Sequence, residues 1–135
     1  MKLVVNVDGG SRGNPGPAAV GIVVRNADGE VIADAAEPIG SATNNVAEYR
    51  ALLRGIELAA EHGATELELR GDSELVVKQV RGEYRVKDAG LKPLHAQARQ
   101  ALSAFSDWSF HHVRREQNAE ADALVNQALD AHSTL

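Results

Sequence analysis

The chain has 135 residues, 44% of them apolar, no cysteine and a net charge of −5. A chain of this size buries roughly two-thirds of its unfolded surface, so a single domain over residues 1–135 is expected without a disulfide or metal clip. The missing cysteines exclude a disulfide scaffold and a thiolate nucleophile or metal site, and the acidic balance argues against coating nucleic acid by bulk attraction.

Residues 2–8 are rich in β-branched and aliphatic side chains, as a central strand should be. Residues 9–17 (GGSRGNPGP) are dense in Gly, Pro, Asn and Ser and predict a loop. Strands follow at 18–25 and 31–39, with the Asp28-Gly29 hairpin signal between them. The chain therefore opens as an antiparallel meander. The pattern then changes to a 3.6-residue period. Val46, Leu53, Ile56 and Ala60 share one face of a helix over 45–62, stopped by Gly63. Residues 66–70 predict a short strand, with Leu67 and Leu69 on one side. A second helix runs from Asp72-Ser73 to about 80 and 82–92 is a broken loop. Pro93 suits the start of a third helix over 94–105. A strand at 108–113 and a helix over 119–131 complete the order βββαβααβα. That order implies the α/β class, one mixed sheet flanked by helices. No apolar run approaches the roughly 20 residues of a membrane span, and Met1-Lys2 leads straight into a strand. A monomeric, cytoplasmic protein with no membrane partner is expected.

Four acids stand out. Asp8 ends the first predicted strand, on the face shared with Val4 and Asn6, and a buried lone carboxylate is costly unless paired or metal-bound. Asp72 follows the fourth strand, and ligands in open α/β sheets gather at such strand ends. Ordinary explanations compete: a helix N-cap for Asp72, an Asn45-x-x-Glu48 capping box for Glu48, and an exposed helix flank for Asp122 beside Val125 and Leu129. Carboxylates without Cys or His at ligand spacing suit hard cations such as Mg²⁺ or Mn²⁺. His111-His112 is a rival pair, although neighbours on a strand point to opposite faces. Residues 78–99 carry a net +4 through Lys78, Arg81, Arg85, Lys87, Lys92 and Arg99, leaving −9 for the rest. This segment reads equally as a nucleic-acid footprint and as a solvated face.

Four blocks, VDGGSRGNPGPAAVG (7–21), ATNNVAEYRAL (42–52), RGDSELVV (70–77) and REQNAEADALVNQA (115–128), together resemble ribonuclease H, type 1. They keep that family's order and spacing over essentially the whole chain. The resemblance implies a ribonuclease H-like fold: a five-stranded mixed sheet, its first three strands antiparallel, flanked by helices. It implies an endonuclease that hydrolyses the RNA strand of RNA–DNA hybrids, leaving 5′-phosphate and 3′-hydroxyl ends. Asp8, Glu48, Asp72 and Asp122 would hold two Mg²⁺ ions, or Mn²⁺, roughly 4 Å apart. Asn14, Asn44 and Asn45 match positions that face the hybrid's minor groove, where 2′-hydroxyls are displayed. Thr43 matches one that grips a DNA phosphate; the alternative roles are turn formation for Asn14 and helix capping for Thr43, Asn44 and Asn45. Glu74 stands where many relatives carry a substrate-contacting Gln, and Arg114 or its neighbour lies nearest the family's loop histidine. Arg85, Lys87 and Asn118 complete the expected substrate contacts. The basic helical protrusion of some bacterial members is missing, and residues 82–93 take its place. Two alternatives stay open: a broader nuclease that also cuts double-stranded RNA, and a non-catalytic hybrid-binding domain of a larger protein.

Overall fold

Alternation along the strands decides which face of the sheet each helix covers. The computed structural model describes residues 1–133, so the single-domain expectation extends two residues beyond them. The strands are β1 (Lys2–Ser11), β2 (Gly16–Arg25), β3 (Val31–Ala42), β4 (Glu66–Gly71) and β5 (Asp107–His112). The helices are α1 (Asn44–Glu61), α2 (Glu74–Val80), α3 (Lys92–Leu102) and α4 (Ala119–Ser133), the last preceded by a 3₁₀ turn at Arg115–Asn118. Sheet order is β3-β2-β1-β4-β5. β1–β2 and β2–β3 are antiparallel, whereas β1–β4 and β4–β5 are parallel. This is the mixed five-stranded sheet the sequence implies.

Val5 and Val7 of β1, Val20 and Ile22 of β2, and Leu67 and Leu69 of β4 join α1, α2 and α3 in the larger core. The alternate residues face the other way. There Ala19 packs with Val125, Ala128 and Leu129 of α4 in a second cluster. Gly21 allows that approach, since a Cβ there would sit 2.2 Å from the Ala121 carbonyl oxygen. Among the described residues, no helix is long and apolar enough to cross a membrane.

Two expectations need correction. The buried stripe of α1 is only in part the predicted one, Ile56 alone of its four residues being fully buried. Ala47, Ala51, Leu52, Gly55, Ile56 and Ala59 are buried, while Val46 and Leu53 pack only at the flank and Ala60 is exposed. The small residues face the sheet because the helix lies very close to it. A Cβ on Gly55 would come within 2.6 Å of Val7 Cγ1. Nor is all of 9–17 a loop: β1 continues through Ser11 and β2 begins at Gly16. Ladder pairing of Gly9 with Val20 and Gly10 with Ala19 overrides the poor strand propensity of glycine.

Candidate active site

The parallel ladder between β1 and β4 ends at the pair Val7–Gly71. The next residue on each strand is an acid, Asp8 and Asp72. Asp8 is thus not at the end of its strand, as the sequence suggested. It sits where β4 stops and only the β1–β2 hairpin continues, with Gly21 as its partner. Glu48 arrives from the second turn of α1 and accepts a 2.5 Å hydrogen bond from the Gly9 N–H. Gly9 is required at that spot, because a Cβ would lie 2.1 Å from the Ala47 carbonyl oxygen.

The competing explanations for two acids fall away. The N-cap of α1 is Thr43, whose hydroxyl accepts from Val46 N–H, so Glu48 closes no capping box with Asn45. The N-cap of α2 is Ser73 rather than Asp72, its hydroxyl accepting from Val76 N–H. Both carboxylates are therefore released from helix capping.

Oxygens of Asp8, Glu48 and Asp72 all lie within 4.8 Å of one another. Asp8 and Glu48 are 6% and 7% exposed, although neither is paired with a lysine or arginine among the described residues. Asp122, at the start of α4, lines the same cleft outside this trio and adds its charge to theirs. Burial, then the charges of Glu48, Asp72 and Asp122, push the Asp8 carboxyl up to about 9. Burial also raises Glu48, to about 7, against the lowering effect of the Gly9 hydrogen bond. Such a cluster is unfavourable alone and is relieved by a cation. The donor set, oxygen only with no sulfur or imidazole, fits a hard divalent ion such as Mg²⁺ or Mn²⁺. His111 and His112 are exposed at the end of β5, and His111 Nε2 meets Ser109 Oγ at 3.1 Å. They form no metal-holding group with the acids.

The acids floor an open cleft of about 450 Å³ whose walls include Arg12, Asn44, Arg115 and Asn126. Beside it lies a second polar cleft lined by Asn14, Thr43, Asn44, Asn45 and Asp88. Asn14 Oδ1 accepts from Asn44 N–H at 3.0 Å, which ties the β1–β2 turn to the start of α1. Asn14, Asn44 and Asn45 are all exposed there. Glu74 is also exposed, and it holds Lys78 Nζ at 2.8 Å.

Two expected substrate contacts look different in the structure. Arg114 is exposed but points into neither cleft; its neighbour Arg115 lines the acid cleft, with Nη2 3.9 Å from Asp122 Oδ1. No pattern in RREQN distinguishes the two arginines, because the 3₁₀ turn that orients them is set by packing. Asn118 is 1% exposed. Its amide lies beneath the acids rather than on a substrate-facing surface. The basic segment divides: Lys78 pairs with Glu74, Arg81 with Glu83, and Arg99 donates to the Val80 carbonyl and stacks over Trp108. Arg85 and Lys87 are exposed and, with Lys92, carry no ion pair among the described residues.

Known proteins share this arrangement. Residues 6–128 match the family described as reverse transcriptase-like. Ribonuclease HI of Halobacterium salinarum is 52% identical over 123 residues, which cover 91% of this chain and 62% of that protein. The bifunctional protein Rv2228c of Mycobacterium tuberculosis is 48% identical over 97% of this chain and 36% of its own length. The chain thus spans less than two-thirds of these curated relatives. Among solved structures, RNase H1 of Halobacterium salinarum superposes with a TM-score of 0.95 at 49% identity, covering 97% of this chain and 99% of that one. LC11-RNase H1 in complex with an RNA/DNA hybrid gives 0.91 at 41% identity, with 96% and 98% covered. Within the reverse transcriptase-like class, the chain belongs to the ribonuclease H family, type 1.

Proposed function

We propose that this protein is an endonuclease that hydrolyses the RNA strand of RNA–DNA hybrids in a divalent-metal-dependent reaction. The observation that carries the reading is the trio Asp8, Glu48 and Asp72, the first two buried, with oxygens within 4.8 Å of one another at the floor of an open cleft. A binding module has no use for such a cluster, which costs stability through mutual repulsion. The hybrid complex of LC11-RNase H1 supports the choice of substrate.

Asp8, Glu48 and Asp72 are the residues that hold the metal, with Asp122 completing the set from α4. When bound, two Mg²⁺ or Mn²⁺ ions supply Lewis acidity: a lowered pKa for the attacking water and neutralisation of charge on the leaving oxygen. The protein's part is preorganisation. The Gly9 N–H fixes one Glu48 oxygen, and the end of the β1–β4 ladder fixes the spacing of Asp8 and Asp72. Asn14, Asn44 and Asn45 present short amides at one rim, suited to ribose 2′-hydroxyls in a wide, shallow groove. Thr43 lies in the same cleft, where a phosphate of the DNA strand would rest. In-line attack by water leaves a 5′-phosphate and a 3′-hydroxyl and needs no covalent nucleophile.

The test presents the purified protein with labelled hybrid, double-stranded RNA, single-stranded RNA and DNA in parallel, with Mg²⁺, Mn²⁺ or EDTA. Metal-dependent cleavage of the hybrid's RNA strand is expected, with end analysis giving the two termini named. Equal cleavage of an all-DNA duplex would overturn the groove-reading part of the proposal, and persistence of activity in EDTA would overturn the metal part.

A further inference from the structure

Asn118 closes the 3₁₀ turn immediately before α4 and is 1% exposed, next to a second buried amide, Asn6, at 7%. Its Nδ2 donates to the Val7 carbonyl at 2.9 Å and to Asp72 Oδ2 at 3.4 Å. Its Oδ1 accepts from Asn6 Nδ2 at 3.0 Å. These partners leave one orientation of the amide. Only an NH₂ group satisfies a carbonyl and a carboxylate together, and only the oxygen satisfies the Asn6 amide. The bridge therefore joins three elements that each bring an acid: β1 with Asp8, the end of β4 with Asp72, and α4 with Asp122 one helical turn on.

We propose that Asn118, clamped by Asn6, is a positioning residue. It holds the Asp72 side chain in orientation and at fixed spacing from Asp8, so that the acid cluster is ready to take up a divalent cation. This rests on the metal-dependent reading of the site. Hydrogen-bonded partners of ligating carboxylates orient them, and their loss typically costs about 10–100-fold in metal affinity or activity. The amide reaches the metal site through Asp72 and does not touch substrate.

Asn118→Ala, Asn118→Asp and Asn6→Ala are compared with wild type and with Leu102→Ala, a core change in α3 away from the site. Three quantities are read: kcat and KM on a hybrid at saturating Mg²⁺, the Mg²⁺ concentration for half-maximal rate, and the rise in Tm with Mg²⁺ in the absence of nucleic acid. Asn118→Ala should lower kcat by about 10–100-fold and raise the Mg²⁺ midpoint, with KM within about twofold. Its Mg²⁺-dependent Tm rise should shrink correspondingly. Asn118→Asp places a carboxylate against Asp72 and should act at least as strongly. Asn6→Ala should act in the same direction but less, and it serves if Asn118→Ala does not fold. Leu102→Ala should lower Tm while leaving kcat and the Mg²⁺ midpoint unchanged. Loss of Tm alone in the Asn118 or Asn6 variants would make the bridge merely structural and overturn the proposal. A rise in KM alone would overturn it in favour of direct substrate contact. The wild-type arm separately tests the functional reading: without hybrid cleavage that reading fails, while the metal-dependent Tm rise still judges the positioning role.

Discussion

Replacing Asp8 by asparagine tests whether the acid cluster is built for a cation or for the fold. Burial and three neighbouring acids push the Asp8 carboxyl up to about 9, against an ordinary value of 3.8. A carboxyl whose folded value is raised contributes stability that is fully present below its unfolded value and lost as pH rises through the folded one. For Asp8 the window therefore runs from about pH 4 to 9, and for Glu48 from 4.5 to about 7. Asparagine mimics the protonated acid and is neutral in both folded and unfolded chains, so the variant escapes this loss. Between the unfolded and folded values, each pH unit costs the wild-type fold up to about 1.4 kcal/mol, because the unfolded chain has released the proton that the folded one still holds. Asp8→Asn should therefore stabilise the metal-free protein by several kcal/mol at pH 8, or on the order of 10 °C in Tm for a chain of this size. The advantage should shrink toward pH 5. With Mg²⁺ at about a hundred times its Kd, wild type should gain about 2.7 kcal/mol and the variant much less. Hydrolysis by the variant should fall by several orders of magnitude. Thermal unfolding followed by circular dichroism, in EDTA and in Mg²⁺ from pH 5 to 9, measures all of this. A variant less stable than wild type in EDTA at pH 8 would refute the reasoning, because Asp8 would then be holding the fold.

Changing Arg85 and Lys87 together to alanine should raise KM for hybrid and flatten the slope of log affinity against log salt by roughly one to two units, with kcat little altered. Binding by the Asp8→Asn protein across salt concentrations reads the slope, and an unchanged one returns the segment to a solvated surface. Arg115→Ala should lower kcat about tenfold, since its guanidinium stands at the acid cleft, whereas Arg114→Ala should stay within twofold of wild type; equal losses in steady-state assays would contradict the assignment. Gly9→Ala forces a Cβ toward the Ala47 carbonyl oxygen and should cost about 1–3 kcal/mol. Because the same shift displaces Glu48, its Mg²⁺ midpoint should rise as well, and a variant with normal metal response would show that the start of α1 yields without moving the acid.

Among the described residues, the order and type of the five strands and four α-helices are legible in the chain, because each depends on local pattern: β-branched runs, the Asp28-Gly29 turn, Gly63 after α1, Pro93 at the start of α3. The four acids are legible too, through the family blocks that contain them. What periodicity does not carry is distance between elements. The buried face of α1 was misread because it is chosen by how near Gly55 comes to Val5 and Val7, and small residues leave no apolar stripe to count. The strand character of 9–11 comes from ladder partners in β2, not from its own glycines. The competing helix caps were settled by the hydroxyls of Thr43, two residues before Asn45, and Ser73, one residue after Asp72. Arg115 rather than Arg114 stands at the cleft, and Asn118 lies under the acids, because a 3₁₀ turn packed on β1 sets both directions. Local sequence determines which elements form and which residues they carry. Only tertiary packing decides which side chains end within a few ångströms of one another, since that depends on the approach of backbones far apart in the chain.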